Sequence, residues 1–211
     1  MKELIKRYNE LQNIYGSEGL NSVYGGGCDK NPRIALVFMN PTKRNIATSK
    51  SWKGLKVQFL GTKQVWDFIS KCNLFSEELN NEIKSKRAYD WTVEFCEKVY
   101  SEVKNQRLWI TNLAKCSQDD ARPLPDEVFI RYKDLLKQEL KLVNPSKIFF
   151  FGNQVASIML DKKITVSTTR QKQFKLNIDG KIYDSYAIYY PLGNGRFNQS
   201  KAVEDIKQIL K

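Results

Sequence analysis

Short apolar runs that alternate with amphipathic segments constrain the fold of this 211-residue chain more than any other feature. The runs at 33–39, 107–112, 147–152 and 187–190 have the length and the apolar, β-branched and aromatic content of buried strands. Strands that are apolar throughout and separated by helices are typical of a parallel sheet covered on both faces. The sequence therefore predicts a three-layer α/β/α fold with a central, mostly parallel sheet of about four strands.

The segments between these runs carry helical spacing and turn signals. Apolar residues at helical spacing predict helices at 4–15, from 65 onward, at 91–103, at 126–143 and at 202–210. The Asp179-Gly180 pair between two apolar segments predicts a β-hairpin. No linker or low-complexity tract interrupts the pattern, so we expect residues 1–211 to form a single domain.

Charge and histidine content limit the chemistry. The chain has no histidine, which excludes Ser-His and Cys-His nucleophile pairs, His-containing zinc sites and an imidazole general base. Its 35 Lys and Arg against 23 Asp and Glu give a net charge of +12, which favours a polyanionic partner, with nucleic acid ahead of a membrane. No apolar run approaches the ~20 residues of a membrane span, so we expect an intracellular, cytoplasmic protein.

Polar and aromatic residues follow three of the predicted strands. Asn40-Pro41 follows the first, Asn112 the second and Tyr190-Pro191 the last. In parallel α/β sheets ligands bind outside the carboxyl ends of the strands, so we expect the chemistry in these loops. Each residue has a structural alternative: Asn-Pro is common turn chemistry, and Asn112 can cap a turn as readily as it can pair with the edge of a nucleobase.

Two irregular segments add basic and aromatic residues to these loops. The stretch 40–61 carries five basic residues and, near its end, Phe59, which is either a core residue or a base-stacking one. The last loop carries Leu192, Arg196 and Phe197 among glycines. That composition suits a wedge that enters a duplex, and ordinary loops share it.

Several segments follow one another in the order of the motifs of a known family. They are Val23-Tyr24-Gly25-Gly26-Gly27, the strand into Met39-Asn40-Pro41, Gln58-Phe59-Leu60-Gly61, the segment 110–116 around Asn112, the strand 144–152, and Tyr189-Tyr190-Pro191-Leu192. In this order they resemble the uracil-DNA glycosylase superfamily, most closely its family 4 and family 5 branch. The resemblance covers the chain from about residue 22 to its end.

The resemblance implies a DNA glycosylase of base excision repair. Such an enzyme flips a damaged base, uracil or a related deaminated or mismatched base, out of double- or single-stranded DNA and hydrolyses its N-glycosidic bond. It further implies a monomer that works at the nucleoid without a membrane. The resemblance gives the catalytic roles to Asn40, which would orient the water, and to Tyr190. It gives base contacts to Met39, Phe59 and Asn112, and DNA contacts to Lys43, Lys115, Leu192 and Arg196.

Departures from the motifs leave alternatives open. Tyr190 replaces the histidine that donates to uracil O2, which favours a non-catalytic nucleic-acid-binding member of the fold as the alternative. Met39 replaces a glutamate, and Asn40 resembles other branches, which favours another lesion such as hypoxanthine or mismatched thymine. The cysteines Cys28, Cys72, Cys96 and Cys116 do not match the iron–sulfur ligands of family 4. We therefore expect no metal and no cofactor, with all four cysteines as small buried side chains.

Overall fold

A six-stranded sheet lies at the centre of the computed structural model, which describes residues 1–58, 60–122 and 124–211. The strands are β1 (Gly26–Gly27), β2 (Ile34–Phe38), β3 (Leu108–Asn112), β4 (Lys147–Phe151), β5 (Gln173–Ile178) and β6 (Lys181–Ile188). Their order across the sheet is β1-β3-β2-β4-β6-β5. The four inner strands β3, β2, β4 and β6 are parallel, while β1 and β5 pair antiparallel at the two edges.

The predicted four-stranded parallel sheet is thus confirmed as the inner part of a larger one. The edge strand β1 consists of two glycines, which carry no apolar pattern from which a strand could be predicted. The other edge strand is half of the predicted hairpin. Asp179 and Gly180 form its turn with φ of 48° and 84°, and the Gly180 N–H donates to Asn177 Oδ1 at 2.9 Å. Two positive φ angles are what a two-residue hairpin turn requires.

Helices cover both faces of the sheet. They are α1 (Lys2–Tyr15), α2 (Lys63–Lys71), α3 (Glu77–Ser85), α4 (Val93–Asn105), α5 (Asp126–Val143), α6 (Asn153–Met159) and α7 (Gln199–Ile209). One apolar core joins the sheet to α2, α3, α4 and α7, and we call this side the α4 face. A second core joins it to α1, α5 and α6 on the α5 face. In the described parts of the chain no helix has the length and hydropathy to cross a membrane.

An ion-pair cluster ties α2 to α3. The Asp67 carboxylate lies 2.7 Å from Lys71 Nζ and 2.5 Å from Lys84 Nζ. Burial raises the pKa of Asp67, but the hydrogen bonds from the two lysines outweigh it and lower this pKa to about 2. The carboxylate therefore stays charged through the whole neutral and mildly acidic range.

Candidate functional site

The carboxyl ends of the inner strands bring three of the predicted loops together. Phe38 ends β2 and is the parallel partner of Asn112, which ends β3. Its ring stacks on that of Phe151, at the end of β4, with centroids 4.2 Å apart. The Tyr190 ring, just beyond β6, meets Phe38 edge-on with centroids 6.4 Å apart. Asn112 and Tyr190 thus lie on opposite sides of Phe38, because β3 pairs with one edge of β2 and β6 lies beyond β4 on the other.

Strand alternation sends the Asn112 side chain to the α4 face. Leu108 and Ile110 belong to the α4-face core, whereas Trp109 belongs to the α5-face core. Because side chains alternate along a strand, Asn112 points to the α4 face, as Leu108 and Ile110 do. Asn112 is only 1% exposed, and neither its Nδ2 nor its Oδ1 has a hydrogen-bond partner among the described residues. Because an unpaired buried amide costs free energy, nearly all are paired in folded proteins. This amide is therefore available to a ligand.

A cleft of about 370 Å³ opens beside this row of strand ends. Met39, Gly152, Tyr190 and Asn198 are among the residues that line it, whereas Asn40 and Asn112 are not. The loop after β6 closes tightly on Tyr190: a Cβ on Gly195 would lie 2.1 Å from the Tyr190 carbonyl oxygen, so only glycine fits there. The volume falls within the range of small-molecule sites and is large enough for one nucleobase.

Tyr190 offers a neutral hydroxyl at this cleft. Its side chain is half-buried, and its hydroxyl makes no hydrogen bond within the described residues. Burial raises the pKa of Tyr190 above that of a free phenol. The hydroxyl therefore keeps its proton at neutral pH and can donate it in a hydrogen bond.

Asn40 stands at the turn after β2. Its Nδ2 donates to the Pro41 carbonyl oxygen at 3.2 Å. This hydrogen bond stabilises the turn, as expected if Asn40 has a structural role. Its Oδ1 accepts no hydrogen bond from the described residues and remains able to hold a water. The adjoining backbone is fixed, because the Ala114 N–H donates to the Met39 carbonyl at 3.0 Å and so joins this turn to the loop after β3.

Comparison with known families agrees with this arrangement. A sequence model of the uracil DNA glycosylase superfamily matches residues 25–210. The chain belongs to this superfamily. No curated protein gives a significant match. Superfamily membership agrees with the observed α/β fold.

Lys115 does not lie on a DNA-binding surface, so the expectation that it contacts DNA is wrong. Its side chain is 0% exposed, and its Nζ lies 3.0 Å from the Glu139 carboxylate on α5. The ammonium also donates to Thr111 Oγ1 at 2.7 Å and to the Asn112 carbonyl oxygen. A fully buried lysine cannot reach a phosphate. Lys115 points inward because the buried Glu139 carboxylate and the Thr111 hydroxyl bind its ammonium.

Glu139 is the centre of this buried network on the α5 face. Besides Lys115, its carboxylate accepts hydrogen bonds from Tyr8 at 2.7 Å, Trp109 at 2.9 Å and Thr111 at 2.6 Å. Burial raises the pKa of Glu139, but Lys115 and these donors outweigh it and lower the pKa below the usual range. Burial lowers the pKa of Lys115 despite the attraction of the carboxylate. The network joins α1 and α5 to the backbone that presents Asn112.

Leu192 is likewise not an exposed wedge. It is only 8% exposed and belongs to the α4-face core. Arg196 is exposed as expected, and its guanidinium lies 5.4 Å from the ring centroid of Phe197, which is 79% exposed. Of the three residues considered for the wedge, Arg196 and Phe197 are thus exposed at the surface and Leu192 is not.

The basic stretch after β2 is exposed on the same side. Lys43 is exposed, with its Nζ 3.6 Å from Asp119, and Arg44, Lys50 and Lys53 are exposed as well. Such a surface ion pair is weak and leaves the lysine able to meet a phosphate. Phe59, expected to stack on the base, lies outside the described residues.

Gln58 is a candidate site residue that the sequence reasoning missed. It is 0% exposed, and both its Nε2 and its Oε1 lack a hydrogen-bond partner in the described part of the chain. The sequence carries one weak signal for it, a polar residue inside the otherwise apolar Val57–Leu60 segment. Gln58 thus shares with Asn112 the property of a buried, unpaired amide.

The cysteines are spread over the fold. Cys72 and Cys96 lie in the α4-face core and Cys116 in the α5-face core, as expected for small buried side chains. Cys28 departs from that expectation, since it is only half-buried and its thiol donates to the Lys30 carbonyl. In the described ranges no three Cys, Asp or Glu side chains are close enough to hold a metal ion.

Proposed function

We propose that this protein is a DNA glycosylase that removes a damaged base by hydrolysing its N-glycosidic bond. The observation that carries the proposal is the unpaired, fully buried amide of Asn112 at the end of β3, in a member of the uracil DNA glycosylase superfamily. Folded proteins retain an unpaired buried amide at sites where a bound ligand supplies its hydrogen-bond partners. An amide with one donor group and one acceptor matches the adjacent carbonyl and N–H of uracil and similar bases.

In the proposed mechanism the target base leaves the DNA stack and enters the cleft beside Tyr190. Unstacking costs a few kcal/mol, which the exposed Phe197 offsets by filling the space in the duplex. Exposed Lys43 and Arg196 bind phosphates and give an affinity that falls with salt. Residues 1–211 act in this proposal as one domain and as a monomer.

Bond cleavage places positive charge on the sugar and negative charge on the departing base. Asn112 and the Tyr190 hydroxyl donate hydrogen bonds to that base, which matter most as the charge develops. Losing one such donor typically lowers the rate by ~10²–10³. Asn40 holds the attacking water through its free Oδ1. An amide is a weak base, so Asn40 orients the water and does not take up its proton.

The alternative function is a non-catalytic member that binds nucleic acid. Tyr190 favours it, because the phenol of a half-buried tyrosine with a raised pKa is a poorer proton donor than an imidazolium. Within the enzyme proposal, the finer assignment to the family 4 and family 5 branch rests on the motif order alone.

Oligonucleotides that each carry a single lesion test the proposal. The protein is incubated with duplex and single-stranded DNA containing uracil, hypoxanthine or mismatched thymine, and abasic sites are then cleaved with alkali. We expect strand cleavage at one or more lesions. Binding without cleavage at any lesion would establish the non-catalytic alternative instead.

Variants of the two asparagines locate the activity. Asn112→Leu is similar in size and removes only the unpaired amide, so we expect most activity to disappear while the melting temperature stays equal or rises. Asn40→Ala should also remove most activity. Asn81→Ala, at an exposed position on α3, is the matched control and should retain wild-type activity. Full activity in Asn112→Leu would show that the site lies elsewhere.

A further inference from the structure

The first helix, α1, is hydrogen-bonded to the part of the chain that follows β3. The match to the superfamily begins at residue 25, so membership by itself assigns α1 no role. On this helix Gln12 is buried, and its Oε1 accepts a hydrogen bond from the Ser117 N–H at 2.8 Å. Ser117 is buried too, and its N–H needs a partner inside the protein. Gln12 therefore fixes the backbone at Ser117.

Two further hydrogen bonds attach the end of α1 and the turn after it to residues 115–118, which we call the bridging segment. The Gln118 Nε2 donates to the Tyr15 carbonyl oxygen at 2.7 Å. The Ser17 N–H donates to the Ser117 carbonyl oxygen at 2.9 Å. The last two residues of the bridging segment are thus held from the α1 side.

The turn that carries Asn40 is attached to the same part of the chain. Asn40 lies between two backbone hydrogen bonds: the Ala114 N–H donates to the Met39 carbonyl oxygen at 3.0 Å, and the Gln118 N–H donates to the Pro41 carbonyl oxygen at 3.1 Å. A parallel β-bridge continues this pairing one residue further along the turn. The backbone position of Asn40 therefore depends on the position of the bridging segment.

We propose that Gln12 is a positioning residue, which acts through Ser117 and Gln118 to hold Asn40 in place for the hydrolytic step. This inference rests on the proposed glycosylase function, in which Asn40 orients the attacking water. Catalysis is sensitive to displacements of about 1 Å, even when the substitution lies far from the reacting atoms. Because Gln12 acts through the bridging segment, its loss slows the reaction and leaves DNA binding unchanged.

The Gln12→Met variant keeps the side-chain length and leaves the Ser117 N–H without its acceptor. On the lesion that the wild type excises fastest, we expect a single-turnover rate about 10- to 100-fold lower and a DNA Kd within about 2-fold of wild type. Gln138→Met, at an exposed position on α5, is the matched control and should keep the wild-type rate. A wild-type rate in Gln12→Met would overturn the inference.

The conservative variant Gln12→Glu retains an acceptor oxygen for the Ser117 N–H. We expect its rate to recover to within about 3-fold of wild type. A rate as low as that of Gln12→Met would mean that this hydrogen bond is not what positions Asn40.

A general loss of stability would not give the same pattern. Ile178→Ala removes apolar volume from the α5-face core beside the hairpin turn, so it should lower the melting temperature and leave the rate unchanged in an assay well below that temperature. In an Asn40→Ala background, Gln12→Met should lower the rate by less than about 2-fold, because residues that act as a unit are not additive. An equal loss in both backgrounds would refute the action through Asn40.

Amide hydrogen exchange separates the failure of this inference from the failure of the proposed function. The Gln118 N–H and the Lys43 N–H, which donates to the Gln118 carbonyl oxygen at 2.8 Å, should exchange faster in Gln12→Met than in Gln138→Met. Unchanged exchange refutes the inference whether or not any lesion is excised. Faster exchange in a protein whose wild type excises no lesion supports the coupling of α1 to the Asn40 turn and refutes only the catalytic function.

Discussion

Replacing Lys115 by methionine breaks the buried network beneath Asn112. The substitution keeps the length of the side chain but removes the ammonium that bonds Glu139, Thr111 and the Asn112 carbonyl. Glu139 is then a buried carboxylate with no opposite charge. We expect a loss of stability and, because the Asn112 backbone loses a donor, a loss of glycosylase activity that exceeds the loss of DNA binding.

The size of the effect follows from the burial of both partners. Side-chain exposures of 0% for Lys115 and 1% for Glu139 make this a fully buried pair, for which removal of one partner costs about 3–5 kcal/mol. Three uncharged donors still bond Glu139, so the lower end, about 3 kcal/mol, is expected. For a chain of this length that lowers the melting temperature by roughly 6–12 °C.

The variant also changes the pH dependence of stability. Without Lys115, we expect burial to outweigh the three remaining hydrogen bonds and to raise the folded-state pKa of Glu139 above its unfolded value. The protonated form is then favoured in the folded state, so stability is retained at low pH and lost as the pH rises through that pKa. Lys115→Met should accordingly cost less free energy of unfolding at pH 5 than at pH 8.

Urea unfolding at these two pH values measures the effect, with two reference proteins. Lys141→Met breaks the exposed pair with Asp179 and should cost far less stability than Lys115→Met, because solvent screens exposed pairs. The double variant Lys115→Met/Glu139→Gln removes both charges and should cost less than Lys115→Met alone. The reasoning is refuted if Lys115→Met costs no more than Lys141→Met, or if the double variant is the less stable of the two.

Two further predictions concern other parts of the fold. The pKa of Asp67 is lowered to about 2, so its contribution to stability is present above pH 4 and lost as the pH falls toward 2. After a discount for solvent screening of this partly exposed cluster, Asp67→Asn should cost at most about 2 kcal/mol at pH 7 and flatten acid unfolding. An unchanged acid midpoint would contradict this. Burial raises the pKa of Cys72 and Cys96 to about 12. In the folded protein at pH 8, only the half-buried Cys28 should therefore react rapidly with a thiol reagent. Cys28→Ser should abolish this fast phase of the reaction.

The inner sheet could be predicted because its strands are apolar on both faces. Such runs occur only where helices cover the sheet on both sides, and the hairpin turn has its own signal in Asp179-Gly180. The edge strand β1 could not be predicted in the same way, because two glycines owe their strand geometry to pairing with β3 and not to their own preference.

The candidate site could be predicted only for residues at strand ends. Asn112 and Tyr190 follow apolar runs, and the parallel sheet brings such positions together. Lys115 and Leu192 were misassigned, because whether a side chain in a loop points inward depends on partners distant in sequence, such as Glu139. Gln58 was missed, since only the three-dimensional structure shows that its amide is both buried and unpaired.

The pairing of Phe38 with Asn112 has a consequence for how this chain tolerates insertions and deletions. Successive side chains of a strand point to opposite faces, so one residue added or removed inside β3 would turn Asn112 toward the α5 face and bring Thr111 to the α4 face. The same change in the loop before β2 would leave every site residue in place. Among related sequences we therefore expect length variation to concentrate in loops and to stop at the boundaries of the inner strands.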